Sequence, residues 1–309
     1  MLEYFLTVDK QIFAMMLMVV VGYIIYRKGM ISDKGLADMS QLLLKIVTPM
    51  ILITSFQRQF TYEAFLQWLI MFGVTVLSYA VLITAATLFF YNKKEPHCPE
   101  NRLAVVFPNN GFMAIPLMLA LAGEEGVFLG STNIILLNIL FWTYGTRTFC
   151  PEGKFNIRQA LLNPGTIAVA FGLLLFVSPW KLPEPVFEAV DSIGSLNTPV
   201  AMIVLGGFLA QTDLKACLRN KAFYKMSAIK LLLIPCVMFA ILAILPLPPQ
   251  VRVVASICSV TPTATAVSML ADIYNRDFRY ASGAVVITTV ISAITIPLMM
   301  TLAKAVLGF

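Results

Sequence analysis

The chain has 309 residues, of which 59% are hydrophobic and only 12% are charged, about half the charged fraction of an ordinary soluble domain. Its apolar stretches run on continuously and do not alternate, which excludes a soluble domain and a β-barrel and predicts an all-α polytopic membrane protein. The net charge of +6 mostly reflects basic loops between these stretches, so we expect a lipid bilayer and no nucleic acid as its surroundings.

Ten transmembrane helices are predicted. In chain order they lie near residues 8–26, 36–56, 64–91, 101–121, 125–148, 162–180, 187–210, 222–245, 250–271 and 278–305. The first has no basic leader and no small-residue cleavage site, so we interpret it as a span and not as a signal peptide. The loops are short, and none is long enough to form a soluble domain.

The basic residues predict the orientation of the chain. Most of the 22 lysines and arginines follow odd-numbered spans, in loops such as RKGMISDKG and QTDLKACLRNKAFYK. Because such loops favour the cytoplasmic side, we predict a multi-pass protein of the inner (plasma) membrane with both termini outside the cytoplasm.

The sequence also contains signs of an internal duplication. Three pairs recur in the same order at nearly one offset, namely Thr48-Pro49 with Thr198-Pro199, Gly22 with Gly172, and Pro108 with Pro262. They predict two five-helix repeats, residues 1–150 and 151–309. An odd number of spans in each repeat would make the two copies inverted relative to each other.

Span 4 contains the most unusual stretch, VVFPNNGFMAIPLM at Val105–Met118. Proline cannot donate a backbone hydrogen bond and clashes with the preceding turn, so a continuous helix is not expected here. Freed backbone groups are tolerated within a bilayer only inside protein or beside cavity water. Span 9 carries a similar stretch, CSVTPTATAVSML. Two interrupted helices in corresponding positions indicate a substrate site near the bilayer midplane.

The candidate substrate-binding residues come mainly from these two stretches. They are Pro108, Asn109, Asn110, Gly111 and Met113 of span 4, Thr261, Pro262 and Thr263 of span 9, Lys45 of span 2 and Asn138 of span 5. Helix N-termini at the breaks would favour an anion, and the asparagines and threonines would add donors. The alternative is that the prolines and glycines only kink packed helices.

Charged residues near the spans allow more than one interpretation. Lys45 could attract an anionic substrate or stand in for a coupling cation, or it could extend to the membrane surface. Lys230 continues the series Lys221 and Lys225, so we expect it to reach the membrane boundary. Asp191 and Asp272 are the candidate proton-titrating groups, with helix-end charges as the alternative. The sequence predicts neither a metal site nor a cofactor.

The stretches PNNGFMAIPL, LNPG at 162–165 and NTPVAMIVLGGFLA at 197–210 resemble the auxin efflux carrier family over essentially the whole chain. The resemblance implies a fold similar to NhaA and the bile-acid symporters, with spans 1, 2, 6 and 7 as a scaffold. Spans 3–5 and 8–10 would form a mobile transport domain, in which Asn109 would lie at the substrate carboxylate. Plant exporters have Asn-Pro-Asn where this chain has Pro-Asn-Asn, so Asn110 stays an alternative.

The paired breaks and their donors predict a secondary active transporter of a small organic anion. The resemblance implies that this anion is a malonate-like or auxin-like mono- or dicarboxylate and that transport works by elevator-type alternating access. A passive anion channel and a membrane sensor that binds a metabolite or lipid are the alternatives. The lone histidine lies in a loop, and no catalytic or nucleotide-binding pattern is present, so an enzyme is not expected. Coupling to protons or to the membrane potential, and a homodimer, are compatible with the sequence.

Overall fold

The computed structural model describes residues 2–92, 94–152 and 157–309, and every regular element in these ranges is a helix. The loop predicted between spans 5 and 6 includes residues 153–156, which lie outside the described residues. The helices before that loop are α1 (Leu2–Arg27), α2 (Asp33–Leu42), α3 (Thr48–Ser55), α4 (Tyr62–Phe89), α5 (Cys98–Val106), α6 (Ile115–Leu140) and α7 (Thr146–Phe149).

The second part of the chain continues in the same way. Its helices are α8 (Ile157–Leu161), α9 (Pro164–Val177), α10 (Glu184–Ser195), α11 (Asn197–Gln211), α12 (Leu214–Arg219), α13 (Lys221–Ala228), α14 (Ile234–Ile244), α15 (Pro249–Val260), α16 (Ala266–Ile273) and α17 (Phe278–Leu307).

Four short π-helical segments lie between these helices, at Leu43–Val47, Asn110–Ala114, Phe141–Gly145 and Ile229–Leu233. Three of them end two residues before a proline, namely Pro49, Pro116 and Pro235. Proline offers no N–H to the carbonyl four residues earlier. The N–H of the residue before the proline instead donates to the carbonyl five residues earlier, as the Ile115 N–H does to the Asn110 carbonyl. Proline therefore widens these helices locally without ending them.

Seven helical stretches among the described residues are long and apolar enough to cross a bilayer. They account for predicted spans 1, 2, 3, 7, 8 and 10, and for spans 4 and 5 together as the stretch Asn110–Phe149. Spans 6 and 9 correspond to the shorter apolar helices Pro164–Val177 and Pro249–Val260. The structure thus shows an all-helical protein with several candidate membrane spans, and the count of ten stays a prediction.

Close glycine contacts bring together the helices of predicted spans 1, 2, 6 and 7. A Cβ atom added to Gly22 of α1 would overlap the backbone of Ile203 in α11, and one added to Gly206 would lie 2.9 Å from the Gly22 Cα. Gly172 of α9 packs against the ring of Phe56, directly after α3. These helices touch backbone to backbone or backbone to ring, as small residues allow in membrane proteins.

Gly123 divides the stretch of spans 4 and 5 at the predicted turn. Its φ of 62° and ψ of −157° break the helical geometry inside α6, in a region of backbone space that is essentially restricted to glycine. The exposed side chain of Glu124 and the half-buried side chain of Glu125 follow directly, so polar residues mark the position of this kink.

We predict that Gly123→Ala lowers the free energy of unfolding by about 1–3 kcal/mol, because the added Cβ strains the positive φ. An added Cβ there meets no atom within 4 Å, so backbone strain alone would cause the loss. The matched control is Gly73→Ala in α4, where a Cβ also meets no atom within 4 Å and the backbone is helical. Thermal unfolding in detergent measures both. Equal melting temperatures for the two variants would contradict the prediction.

Candidate functional site

Two broken helices meet inside the protein, as the sequence predicts. The helix α5 ends at Val106, and Phe107, Pro108 and Asn109 have non-helical geometry before the next π segment. The helix α15 ends at Val260, and α16 begins only at Ala266. Pro108 and Thr263 form an isolated antiparallel β-bridge between the two breaks. We call this meeting point the crossover.

The main chains of the two breaks hold each other. The Asn109 N–H donates to the Pro262 carbonyl at 2.8 Å, and the Ala264 N–H donates to the Phe107 carbonyl at 2.9 Å. Each break therefore supplies a donor to the other, and neither depends on water for these bonds.

The carbonyls at the end of α5 find side-chain donors. Pro108 has no N–H for the Ala104 carbonyl, which instead accepts from the Thr263 hydroxyl at 2.8 Å. The Asn109 N–H is engaged with Pro262, so the Val105 carbonyl loses its helical donor and accepts from Lys230 Nζ at 2.7 Å. The hydrogen bonds missing at the end of α5 are therefore supplied by the second break, through Thr263, and by the π segment at Ile229–Leu233, through Lys230.

This position corrects the interpretation of Lys230. The expectation that Lys230 reaches the membrane boundary is wrong, because its side chain has no exposed surface. It lies in the π segment before Pro235, and its side chain points to the end of α5, where Nζ donates to the Val105 carbonyl. Spacing from Lys221 and Lys225 does not reveal which helix face is buried.

Asn109 caps the half-helix that follows the break. Its Oδ1 accepts from the Phe112 N–H at 3.3 Å, and its side chain is 3% exposed. Its Nδ2 is buried and has no hydrogen-bond partner among the described residues. A buried amide donor without a partner is costly.

Asn110 is engaged through both ends of its amide. Its Nδ2 donates to Asn133 Oδ1 at 3.3 Å, and its Oδ1 accepts from the Thr261 hydroxyl at 3.2 Å. Asn133 in turn donates to Thr75 Oγ1 at 3.1 Å. This polar network joins α4, α6 and the two breaks. Asn133 and Thr75 are absent from the sequence-based candidates, although the run GSTN at 130–133 is an unusual cluster of small and polar residues in an apolar span.

Two predicted site residues lie away from the crossover. Lys45 is exposed, and its Nζ donates to Gln41 Oε1 at 2.8 Å. Asn138 donates to Asn163 Oδ1 and to Thr166 Oγ1, both at 3.1 Å, and so connects α6 to the start of α9. The structure brings the other eight candidates together at the two breaks.

The predicted acidic groups also lie away from the crossover. Asp191 and Asp272 are both exposed, near the ends of α10 and α16. Glu100, in the first turn of α5, is only 2% exposed, and its Oε2 has no hydrogen-bond partner among the described residues. Sequence reasoning missed Glu100, because it precedes the apolar part of span 4.

A cavity of about 570 Å³ lies beside the start of α16. Phe208 and Gln211 of α11 line one side, and Thr265, Ser268 and Tyr280 line the other. Thr265 is the last residue of the second break, so the cavity reaches the end of that break, while its lining includes none of the eight candidates at the crossover. Cys217 of α12 also lines it, and burial raises the pKa of this thiol, which keeps it protonated and unreactive at neutral pH.

We predict that Thr263→Val lowers the free energy of unfolding by about 1–2 kcal/mol, since it leaves the buried Ala104 carbonyl unpaired without changing volume. Thr301→Val is the matched control. The Thr301 hydroxyl donates to the Pro297 carbonyl of its own helix at 2.7 Å, so we expect a change within about 0.5 kcal/mol. Thermal unfolding in detergent measures both changes, and a Thr263→Val variant as stable as the Thr301→Val variant would show that the hydroxyl does not support the break.

Comparison with known proteins agrees with this architecture. A family model described as membrane transport protein matches residues 7–157 and 152–300. The uncharacterized transporter MJ1031 of Methanocaldococcus jannaschii is 20% identical over 295 residues, which cover 92% of this chain and 94% of that protein. The family comprises transporters and not enzymes, and its model covers nearly the whole sequence. The chain belongs to this membrane transport protein family, the family of the auxin efflux carriers.

Proposed function

We propose that the protein is a secondary active transporter of a small organic anion, a malonate-like or auxin-like mono- or dicarboxylate, which binds at the crossover. The observation that carries this proposal is the unpartnered, buried Nδ2 of Asn109 at the meeting point of two broken helices. An anion with a carboxylate oxygen would supply the missing acceptor.

The surroundings of Asn109 suit a negative charge. The π segment and α6 begin directly after it, and the N-terminal end of a helix carries a partial positive charge. Across the crossover, α16 begins at Ala266 and presents a second N-terminal end. An added Cβ at Gly111 would meet no atom within 4 Å, so open space lies beside the first half-helix.

We infer that ten spans form two inverted five-helix repeats, residues 1–150 and 151–309, in an NhaA-like arrangement. Matching contacts support this division. Gly22 of predicted span 1 packs against Ile203 of span 7, and Gly172 of span 6 packs against Phe56 at the end of span 2. In two inverted repeats, span 1 corresponds to span 6 and span 2 to span 7, so the contact between spans 1 and 7 would be the counterpart of the contact between spans 6 and 2.

Spans 1, 2, 6 and 7 would form the scaffold, and spans 3–5 and 8–10 would form the unit that moves in an elevator mechanism. The cavity supports this assignment, because it lies between α11 of the scaffold and α16 and α17 of the moving unit. Its lining includes Cys217 of α12 and Arg279, at the end of the spans where the basic loops lie. With both termini outside the cytoplasm of the inner membrane, this cavity would then lie toward the cytoplasm.

Binding of carboxylates is tested first, and their transport second. Purified protein is first screened for thermal stabilisation by carboxylates, because a ligand that binds only the folded state raises the melting temperature. The stabilising anions are then offered to proteoliposomes. Saturable uptake supports a carrier, whereas flux that rises linearly with concentration would indicate a passive channel. Binding without any flux would indicate a sensor.

We predict that Asn109→Ser weakens anion binding by about tenfold or more, the effect of losing a hydrogen bond to a charged group. Serine keeps a capping oxygen for the half-helix but lacks the amide donor, so the folded state should remain. Titrated thermal stabilisation measures the affinity.

Asn138→Ser is the control for that change. The Asn138 amide donates hydrogen bonds to Asn163 and Thr166 at the start of α9, away from the crossover. Its loss should therefore lower the stability of the protein and leave the affinity for anions unchanged. Asn110→Ser should likewise act mainly on stability, because both ends of its amide are engaged within the protein. Wild-type affinity in the Asn109→Ser variant for every stabilising anion would refute the assignment of Asn109.

A further inference from the structure

Lys230 is a lysine buried within a candidate membrane span, and no acidic partner for it is found among the described residues. Its side chain is completely buried, and its Nζ donates to the Val105 carbonyl at 2.7 Å. Among the described residues no carboxylate forms an ion pair with Lys230, and the ion pair that the structure shows elsewhere joins His97 and Asp277. Because charged groups within a membrane are expensive to bury, they usually mark function.

The group that compensates Lys230 is the end of a helix. Val105 lies in the last turn of α5, where unpaired carbonyls carry a partial negative charge. Of the nearby carbonyls, Ala104 and Phe107 already accept bonds from Thr263 and Ala264. The Val105 carbonyl accepts instead from the amino group of Lys230, at the C-terminal end of α5.

In transporters with broken helices, the C-terminal ends of half-helices and unwound carbonyls are where coupling cations bind. We propose that Lys230 acts as a resident cation at the crossover, in the position where an inorganic coupling cation would otherwise lie. This inference rests on the proposed anion-carrier function and specifies its coupling. The anion is then bound without Na⁺, because the positive charge is supplied by the chain itself.

Lys45 provides a matched control within the same protein. Like Lys230, it lies in a π segment that ends two residues before a proline. Unlike Lys230, it is exposed and bonds to Gln41. Substitution at the two positions therefore compares the same residue type in the same local backbone, with and without contact to the crossover.

The first test uses the wild-type protein. Affinity for a stabilising carboxylate is measured by titrated thermal stabilisation in sodium, potassium and N-methylglucamine buffers of equal ionic strength. We expect equal affinities in all three. A requirement for Na⁺ or K⁺ in the wild type would overturn the inference without any variant.

The second test uses Lys230→Ala and Lys45→Ala in N-methylglucamine buffer. We expect Lys230→Ala to weaken anion binding by about tenfold or more, and methylammonium or Na⁺ to restore at least part of the affinity by filling the vacated cation position. Lys45→Ala should bind like the wild type in every buffer.

The remaining outcomes are also decisive. Wild-type affinity in Lys230→Ala would overturn the inference, and so would a loss that neither methylammonium nor Na⁺ restores, because a role in packing alone predicts that result. If the wild-type protein binds no carboxylate in any buffer, the proposed function fails, and this inference fails with it. Sodium dependence of a wild type that does bind carboxylates would remove only the inference.

Discussion

The structure depends on one constraint, which is that backbone groups freed inside a bilayer must find partners within the protein. Pro108 and Pro262 interrupt two helices where water is scarce. The chain meets the constraint by placing the interruptions against each other, so that Asn109 donates to Pro262 and Ala264 donates to Phe107. The packing of the helices around the crossover follows from this pairing, because each break is stable only in the presence of the other.

The pairing also separates the roles of two neighbouring asparagines. Asn110 is part of a closed polar network with Thr261 and Asn133, and such networks fix geometry when every member has a partner. Asn109 keeps one amide donor unsatisfied. At the proposed anion site, the Asn110 network would provide a rigid frame, and Asn109 would provide a donor whose partner is the anion.

Local chemistry made the helices and both breaks predictable. Span 7, predicted at 187–210, is found as α10 and α11 over Glu184–Gln211, and the prolines marked the interruptions because their effect on a helix is local. The contacts of Lys230, Asn133 and Thr75 were not predictable, since each depends on a partner more than 50 residues away. Sequence spacing shows which residues share a helix face, and it does not show which face another helix covers. The contacts of Asn138 with Asn163 and Thr166 were not predictable for the same reason.

The contact between α1 and α11 has a consequence for how the protein withstands changes of membrane composition. Lipid tails are as apolar as leucine side chains, so no hydrophobic force drives two such helices together. At Gly22 and Gly206 the backbones themselves touch, and dispersion attraction between closely spaced atoms provides the adhesion. This adhesion depends on shape and not on the solvent. The contact between α1 and α11 should therefore keep its strength in thick or thin, saturated or unsaturated bilayers. It would then form a fixed part of the protein against which another part can move.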